Sequence, residues 1–340
     1  MYKGVDISKL FFFFCFVLIH TKVCSLLPPT EAYYLNKCIL RLSVPYFLVV
    51  SGYLFIYTLR RSKNSLKEKT QKQILRLWKP FVVFSIINTL LQPGILLYTH
   101  DHFPWIKVLK HILFCPYGAL WYVYATMLGL VLLYPFIKYK KLGYALILGT
   151  LLYGFALLCN NYYFVANHLH IENIINIYLK IFLTARNGLF IGFLFMGIGA
   201  ILAEMDATKW LSGKMTVGLA LISFIIYVLE IYYLRPHLSI DDGGYFISSP
   251  FVSACLVLLT LQISIPISDK LSLLFRNLSV GMFFLHRPIC TILEIGTFLL
   301  FGTEHRNMAG WIFVLTMFMT CSVWFTVYKL KKEPFYSLLK

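Results

Sequence analysis

Of the 340 residues, 59% are hydrophobic, 17% aromatic and only 13% charged, and the mean hydropathy is +0.74. A soluble domain of this size needs far less apolar surface to fill its core, so the composition excludes a soluble enzyme and indicates a polytopic membrane protein. The net charge of +17 does not indicate nucleic acid, because the basic residues fall in short junctions between apolar stretches and form no basic face.

Apolar runs long enough to span a bilayer lie near residues 8–27, 42–59, 80–99, 119–137, 142–159, 188–203, 216–234, 249–267, 278–302 and 310–328. They predict an all-α, polytopic transmembrane bundle of about ten spans. No repeat or long linker divides it, so a single domain over residues 1–340 is expected. The junction after the second run holds Arg60, Arg61, Lys63, Lys67, Lys69, Lys72, Arg76 and Lys79 against one acid, Glu68. The positive-inside rule puts that junction in the cytoplasm, and with it both termini.

In the first run, ten residues (Leu-Phe-Phe-Phe-Phe-Cys-Phe-Val-Leu-Ile) separate Lys9 from His20. On a helix the two would lie roughly 16 Å apart, about half the hydrocarbon thickness, a separation suited to the two ends of one long ligand. Lys3 followed by an apolar stretch imitates a signal peptide, but no small-residue cleavage site follows, so residues 1–27 are expected to remain as a span.

The second run opens Arg41-Leu42-Ser43-Val44-Pro45-Tyr46-Phe47 and continues to Ser51-Gly52-Tyr53. Pro45, Ser51 and Gly52 loosen the backbone or admit a close neighbour. Ser51 and Tyr53 either orient a substrate or serve packing. The basic junction ends Arg76-Leu77-Trp78-Lys79-Pro80-Phe81, where topology and contact with anionic membrane lipid compete with ligand binding.

Leu120-Trp121-Tyr122 opens the fourth run. The long outward loop over 160–187 mixes Asn160, Asn161, Tyr162, Tyr163, His168, His170 and Glu172 with an apolar stretch able to form a short interfacial helix. It suits a sugar, or an ordinary aromatic belt. Arg186-Asn187-Gly188-Leu189-Phe190 precedes the sixth run, and Ser279 to His286, then Arg287 and Pro288, lie in the ninth. Ionisable groups at membrane depth face a bundle interior or a wet cavity. The other histidines, His100, His102, His111, His168, His170, His237 and His305, have no metal-ligand spacing. The eight cysteines contain no Cys-x-x-Cys pair, so neither a metal site nor a disulfide framework is expected.

Lys9-x10-His20, the Pro45-to-Tyr53 run, the stretch ending at Phe81, Leu120-Trp121-Tyr122, Arg186 to Phe190 and Ser279 to His286 together resemble the integral-membrane acyltransferase type 3 family over nearly the whole chain. Two departures stand out. Lys9 replaces the commoner arginine and loses its bidentate fork for phosphate, and the basic motif before the third run is less regular.

The resemblance implies an O-acetyltransferase of the bacterial inner membrane. It would move an acyl group, acetyl by preference, from cytoplasmic acyl-CoA to a hydroxylated glycan or lipid-linked sugar, with acetyl-CoA as donor substrate and no permanently bound cofactor. It implies His20 as general base, or as carrier of an acyl-imidazole, with Arg41 and His286 also catalytic. Lys9, Ser51, Tyr53, Arg76, Trp121, Arg186 and Asn187 would bind substrate, Lys9 and Arg76 at the donor phosphates; Arg41 and Arg186 either line the acceptor entrance, stabilise the oxyanion on the thioester carbonyl, or anchor span ends at the interface. A transporter or flippase of glycan or lipid intermediates, or a sensor or scaffold, is the alternative reading, weakened by the absence of an internal pseudo-repeat.

Overall fold

The computed structural model describes residues 2–94, 105–238, 243–302, 308–331, 333 and 335–338. No strand occurs among them. The principal helices are α1 (Lys3–His20), α2 (Ser43–Arg60), α3 (Leu66–Leu90), α4 (Trp105–Phe114), α5 (Leu120–Lys138), α6 (Leu142–Leu158), α7 (Glu172–Phe182), α8 (Phe193–Glu204), α9 (Gly213–Leu234), α10 (Ser249–Gln262), α11 (Asp269–Phe301) and α12 (Ala309–Leu330).

Each of the apolar runs read from the sequence falls on one of these helices. Among the described residues, six helical stretches are long and apolar enough to cross a membrane: Pro29–Arg60, Leu66–Gly94, Leu120–Lys138, Gly213–His237, Asp269–Phe301 and Ala309–Leu330. The helices Leu142–Leu158, Gly188–Glu204 and Ser249–Gln262 are apolar but shorter, and α1 carries Lys3, Asp6 and Lys9 in its first half. Residues 95–99 of the third run lie outside the described residues.

Several boundaries moved for local reasons. α1 ends at His20, before the predicted 27, because Lys22 takes a left-handed φ of 55° and the Pro28-Pro29 pair follows. α11 begins well before residue 278, since Lys270, Arg276 and Asn277 depress hydropathy without breaking the helix, and Ser268 caps it. α3 likewise extends back into the basic junction from a capping box formed by Ser65 and Glu68. Pro45 lies in the first turn of α2, where its missing N–H costs nothing, so the helix runs unbroken to Arg60.

Close packing of α2 on α8 depends on two glycines. A Cβ on Gly52 would lie 2.8 Å from backbone carbons of Met196, and one on Gly199 would lie 2.9 Å from the carbonyl carbon of Val49. Neither position has room for a side chain. Gly52 therefore does the packing work expected of the Ser-Gly pair, whereas Ser51 is free to face a cavity.

Two apolar cores form, one around α2, α6, α8, α9 and α10, the other around α3, α5, α11 and α12. α1 lies between them, sending Phe12 and Cys15 to the first and Phe13 and Val17 to the second. Its face between the two cores carries the polar residues.

Candidate active site

Tyr2, Asp6, Lys9, Phe13, Phe16 and His20 recur every three or four residues and so share one face of α1. The first five line a cavity of about 480 Å³, and Phe16 and His20 line a second, of about 290 Å³, at the other end of the helix. Phe16 is common to both.

The larger cavity is rich in cations. Lys9 from α1, Lys69 and Arg76 from α3 and Arg276 from α11 converge on it, with Asp6 the one acid in its lining. Asp6 is already engaged: Arg276 donates to its two oxygens over 3.1 and 2.9 Å, and Ser272 donates over 2.7 Å. Lys9, Lys69 and Arg76 make no ion pair among the described residues, so the cavity holds unneutralised positive charge that suits a polyanion. Ser51 also lines it, and its hydroxyl lies 3.2 Å from that of Tyr122.

His20 shares the smaller chamber with Arg41, Trp121, Arg186, His111, Tyr117 and Tyr245. Several fixed backbone features hold these groups. Asn36 accepts from Nε of Arg41 over 2.9 Å. Leu183 takes a φ of 65°, and Thr184 then accepts from both the backbone N–H and Nε of Arg186. Gly118, at φ 67°, turns the chain against the stem of Arg287 where a Cβ would clash. Outside the spans, Nδ1 of His111 donates to the Cys115 carbonyl over 2.9 Å, and the ring stacks on Tyr117. Burial, helped by the Lys107 charge, holds it below the usual imidazole value of 6.5, although the Cys115 carbonyl acts in the opposite direction.

His286 is fully buried behind His20, with ring centroids 5.4 Å apart. Its Nδ1 lies 3.1 Å from the Met282 carbonyl, and its Nε2 has no hydrogen-bond partner among the described residues. An orphaned imidazole nitrogen in such a place calls for a ligand or a neighbouring proton. Arg287, next in sequence, pairs with the buried Glu294 at 3.3 Å.

A polytopic bundle with a cation-lined cavity, a histidine chamber and this order of motifs agrees with what the chain matches. The family model described as an acyltransferase domain covers residues 2–329. The chain belongs to the acyltransferase 3 family. No curated protein and no solved structure matched it. Family membership makes this a membrane acyltransferase.

The sequence-derived candidates divide between the chambers. Lys9, Ser51 and Arg76 line the larger cavity, while His20, Arg41, Trp121 and Arg186 line the smaller. Tyr53 lies behind Tyr2, their hydroxyls 3.1 Å apart, and lines neither cavity. Asn187 caps the Gly188–Gly192 π-helical turn, accepting from Leu189 and Phe190, and His286 supports His20 from outside the chamber lining.

In the 160–187 loop, Asn161 donates to the Tyr245 carbonyl and Tyr162 donates to Glu230. Their polarity serves to clamp residues 245–248, not to line the chamber. The apolar stretch of that loop forms α7, as its composition suggested. His168 and His170 line neither chamber, and His100, His102 and His305 lie outside the described residues.

Sequence reasoning missed Arg276, Lys69, His111 and Glu230. Arg276 stands seven residues before Phe283 and three before Ser279, on the same face of α11. Extending the late motif backwards by helical spacing would have found it. No local pattern marks Glu230, which accepts from the backbone N–H groups of Ile247 and Ser248 over 2.7 and 2.9 Å.

Proposed function

We propose that the protein transfers a short acyl group, acetyl by preference, from cytoplasmic acyl-CoA to a hydroxyl of a glycan or lipid-linked sugar. One observation carries this reading: a single face of α1 joins a cavity lined by unneutralised cations to a chamber lined by a histidine. Coenzyme A is a polyanion on a long thin arm, which fits that separation of charge from reactive group. The basic junction supports a cytoplasmic opening for the cavity.

Lys9, Lys69 and Arg76 would bind the donor phosphates, with Arg276 held against Asp6 beside them. In the chamber, a neutral ring nitrogen of His20 accepts the acceptor hydroxyl's proton as its oxygen attacks the thioester carbonyl carbon. Arg41 offers positive charge to the oxyanion that develops. Collapse breaks the C–S bond, and the departing thiolate takes the proton from the imidazolium, leaving an ester and free CoA. His286 holds the His20 ring in place from behind. Trp121 and Tyr245, edge to face at 6.4 Å, offer aromatic surface to a sugar, and Arg186 lies beside them in the lining.

Labelled acetyl-CoA supplied to inside-out vesicles with a hydroxylated glycan acceptor tests this directly. Label should appear on the acceptor as an ester, and His20→Ala should abolish transfer while the protein remains folded. Movement of a lipid-linked glycan between leaflets with no thioester consumed would replace the enzyme reading with a flippase.

A further inference from the structure

Four aromatic rings close a loop at the inner end of the larger cavity. Phe16 stacks on Phe47 with centroids 5.6 Å apart, Phe47 meets Tyr122 at 6.0 Å, Tyr122 meets Phe283 edge-on at 5.6 Å, and Phe283 returns to Phe16 at 5.6 Å. Each contact lies in the range of favourable aromatic pairing. The rings come from four helices, α1, α2, α5 and α11, so the loop ties together both sides of the bundle.

The position of this collar is its most informative property. All four rings line the cation-rich cavity, but of the four only Phe16 also lines the His20 chamber. His20 lies one helical turn beyond Phe16 on the same face of α1. A group bound in the larger cavity can come within hydrogen-bond reach of His20 only by passing the level of these rings. The one polar atom the collar carries, the Tyr122 hydroxyl, lies 3.2 Å from that of Ser51, and the rest of the surface presented to a passing group is hydrocarbon. Such an aperture discriminates by bulk and excludes water.

We propose that the Phe16–Phe47–Tyr122–Phe283 collar is the aperture through which the acyl end of the donor reaches His20, and that its size limits the length of acyl group the enzyme transfers. The proposal rests on the reading of the larger cavity as the acyl-CoA site. The pantetheine arm is thin, so the acyl group is the part of the donor whose bulk varies. Rotation of a phenyl ring about its broad χ2 torsion admits a small acyl group. Every further methylene must part the same packed rings, and in a fitted apolar site one methylene is worth about 10-fold or more in discrimination.

The test compares acetyl-, butyryl- and hexanoyl-CoA as donors for the unaltered protein and for Phe47→Ala, Phe283→Ala and the milder Phe47→Leu and Phe283→Leu. The leucine variants keep apolar volume if alanine unfolds the bundle. The unaltered protein should prefer acetyl. In the variants the ratio of hexanoyl to acetyl kcat/KM should rise by about 10-fold or more, while the Kd for free CoA changes less than about 3-fold, because the cations that hold it are untouched.

An unchanged chain-length ratio in variants that still transfer acetyl overturns the collar and leaves the acyltransferase reading standing. Equal use of all three donors by the unaltered protein also overturns it. No transfer from any donor by the unaltered protein overturns both.

Discussion

The two chambers at either end of α1 are built by different means. The cation-rich cavity is lined by long side chains on three helices, and its one acid is consumed by Arg276 and Ser272. Its binding power is electrostatic and tolerant of geometry. The His20 chamber is set by backbone turns and short directional hydrogen bonds: positive φ at Gly118 and Leu183, Asn36 on Arg41, and residues 245–248 fastened by Glu230, Asn161 and Tyr153. In the proposed reaction the first would hold a charged handle loosely enough to exchange it, and the second would hold reacting atoms within a fraction of an ångström.

That contrast can be broken most severely at His20. His20→Ala should lower the transfer rate by about 100-fold or more, with CoA affinity retained, as read by a steady-state assay beside a binding isotherm. Next is the α2–α8 contact: Gly52→Val should cost about 3 kcal/mol and damage both chambers together, visible as a lowered thermal midpoint in detergent and loss of both binding and turnover.

Arg76→Ala should sharpen the comparison, raising the KM for acyl-CoA by about 10-fold and making it less salt-dependent, while leaving the acceptor KM unchanged. Arg186→Gln should do the reverse at about 3- to 10-fold, raising the acceptor KM and leaving the donor KM alone. Equal effects of these two variants on both substrates would erase the distinction between the chambers.

The smallest expected effect concerns His111. Its folded value lies below the 6.5 of the unfolded chain, so below that value the unfolded state takes up more protons and stability falls with acidification. Replacing it by glutamine should flatten the pH dependence of the thermal midpoint below 6.5, with no change above it.

Much of this arrangement is legible in the sequence because it is carried by helical spacing. Lys9, Phe16 and His20 are visible as one face once residues 3–20 are read as a helix, and the hydropathy runs locate the bundle's helices. The close approach at Gly52 could be anticipated from a glycine beside a serine within an apolar run. Other features were hidden for physical reasons. Arg276 lies in the polar N-terminal stretch of α11 that a hydropathy window discards, although the helix runs straight through it. For Asn161 and Tyr162 the sequence left a sugar site and an aromatic belt equally open, because polarity looks the same whether it faces a ligand or a neighbouring segment. His111 sits on α4, a helix too short to register as a span, and the collar joins residues from four helices that no local pattern connects.

The central claim is that donor binding and proton removal belong to opposite ends of α1. Equilibrium binding of labelled CoA to purified His20→Ala and to purified Lys9→Ala/Arg76→Ala tests it most directly. The account predicts that the first variant binds CoA with a Kd within about 3-fold of the unaltered protein while transferring at least about 100-fold more slowly, whereas the second loses at least about 10-fold in affinity. Loss of CoA binding in His20→Ala, with affinity retained in Lys9→Ala/Arg76→Ala, would contradict it.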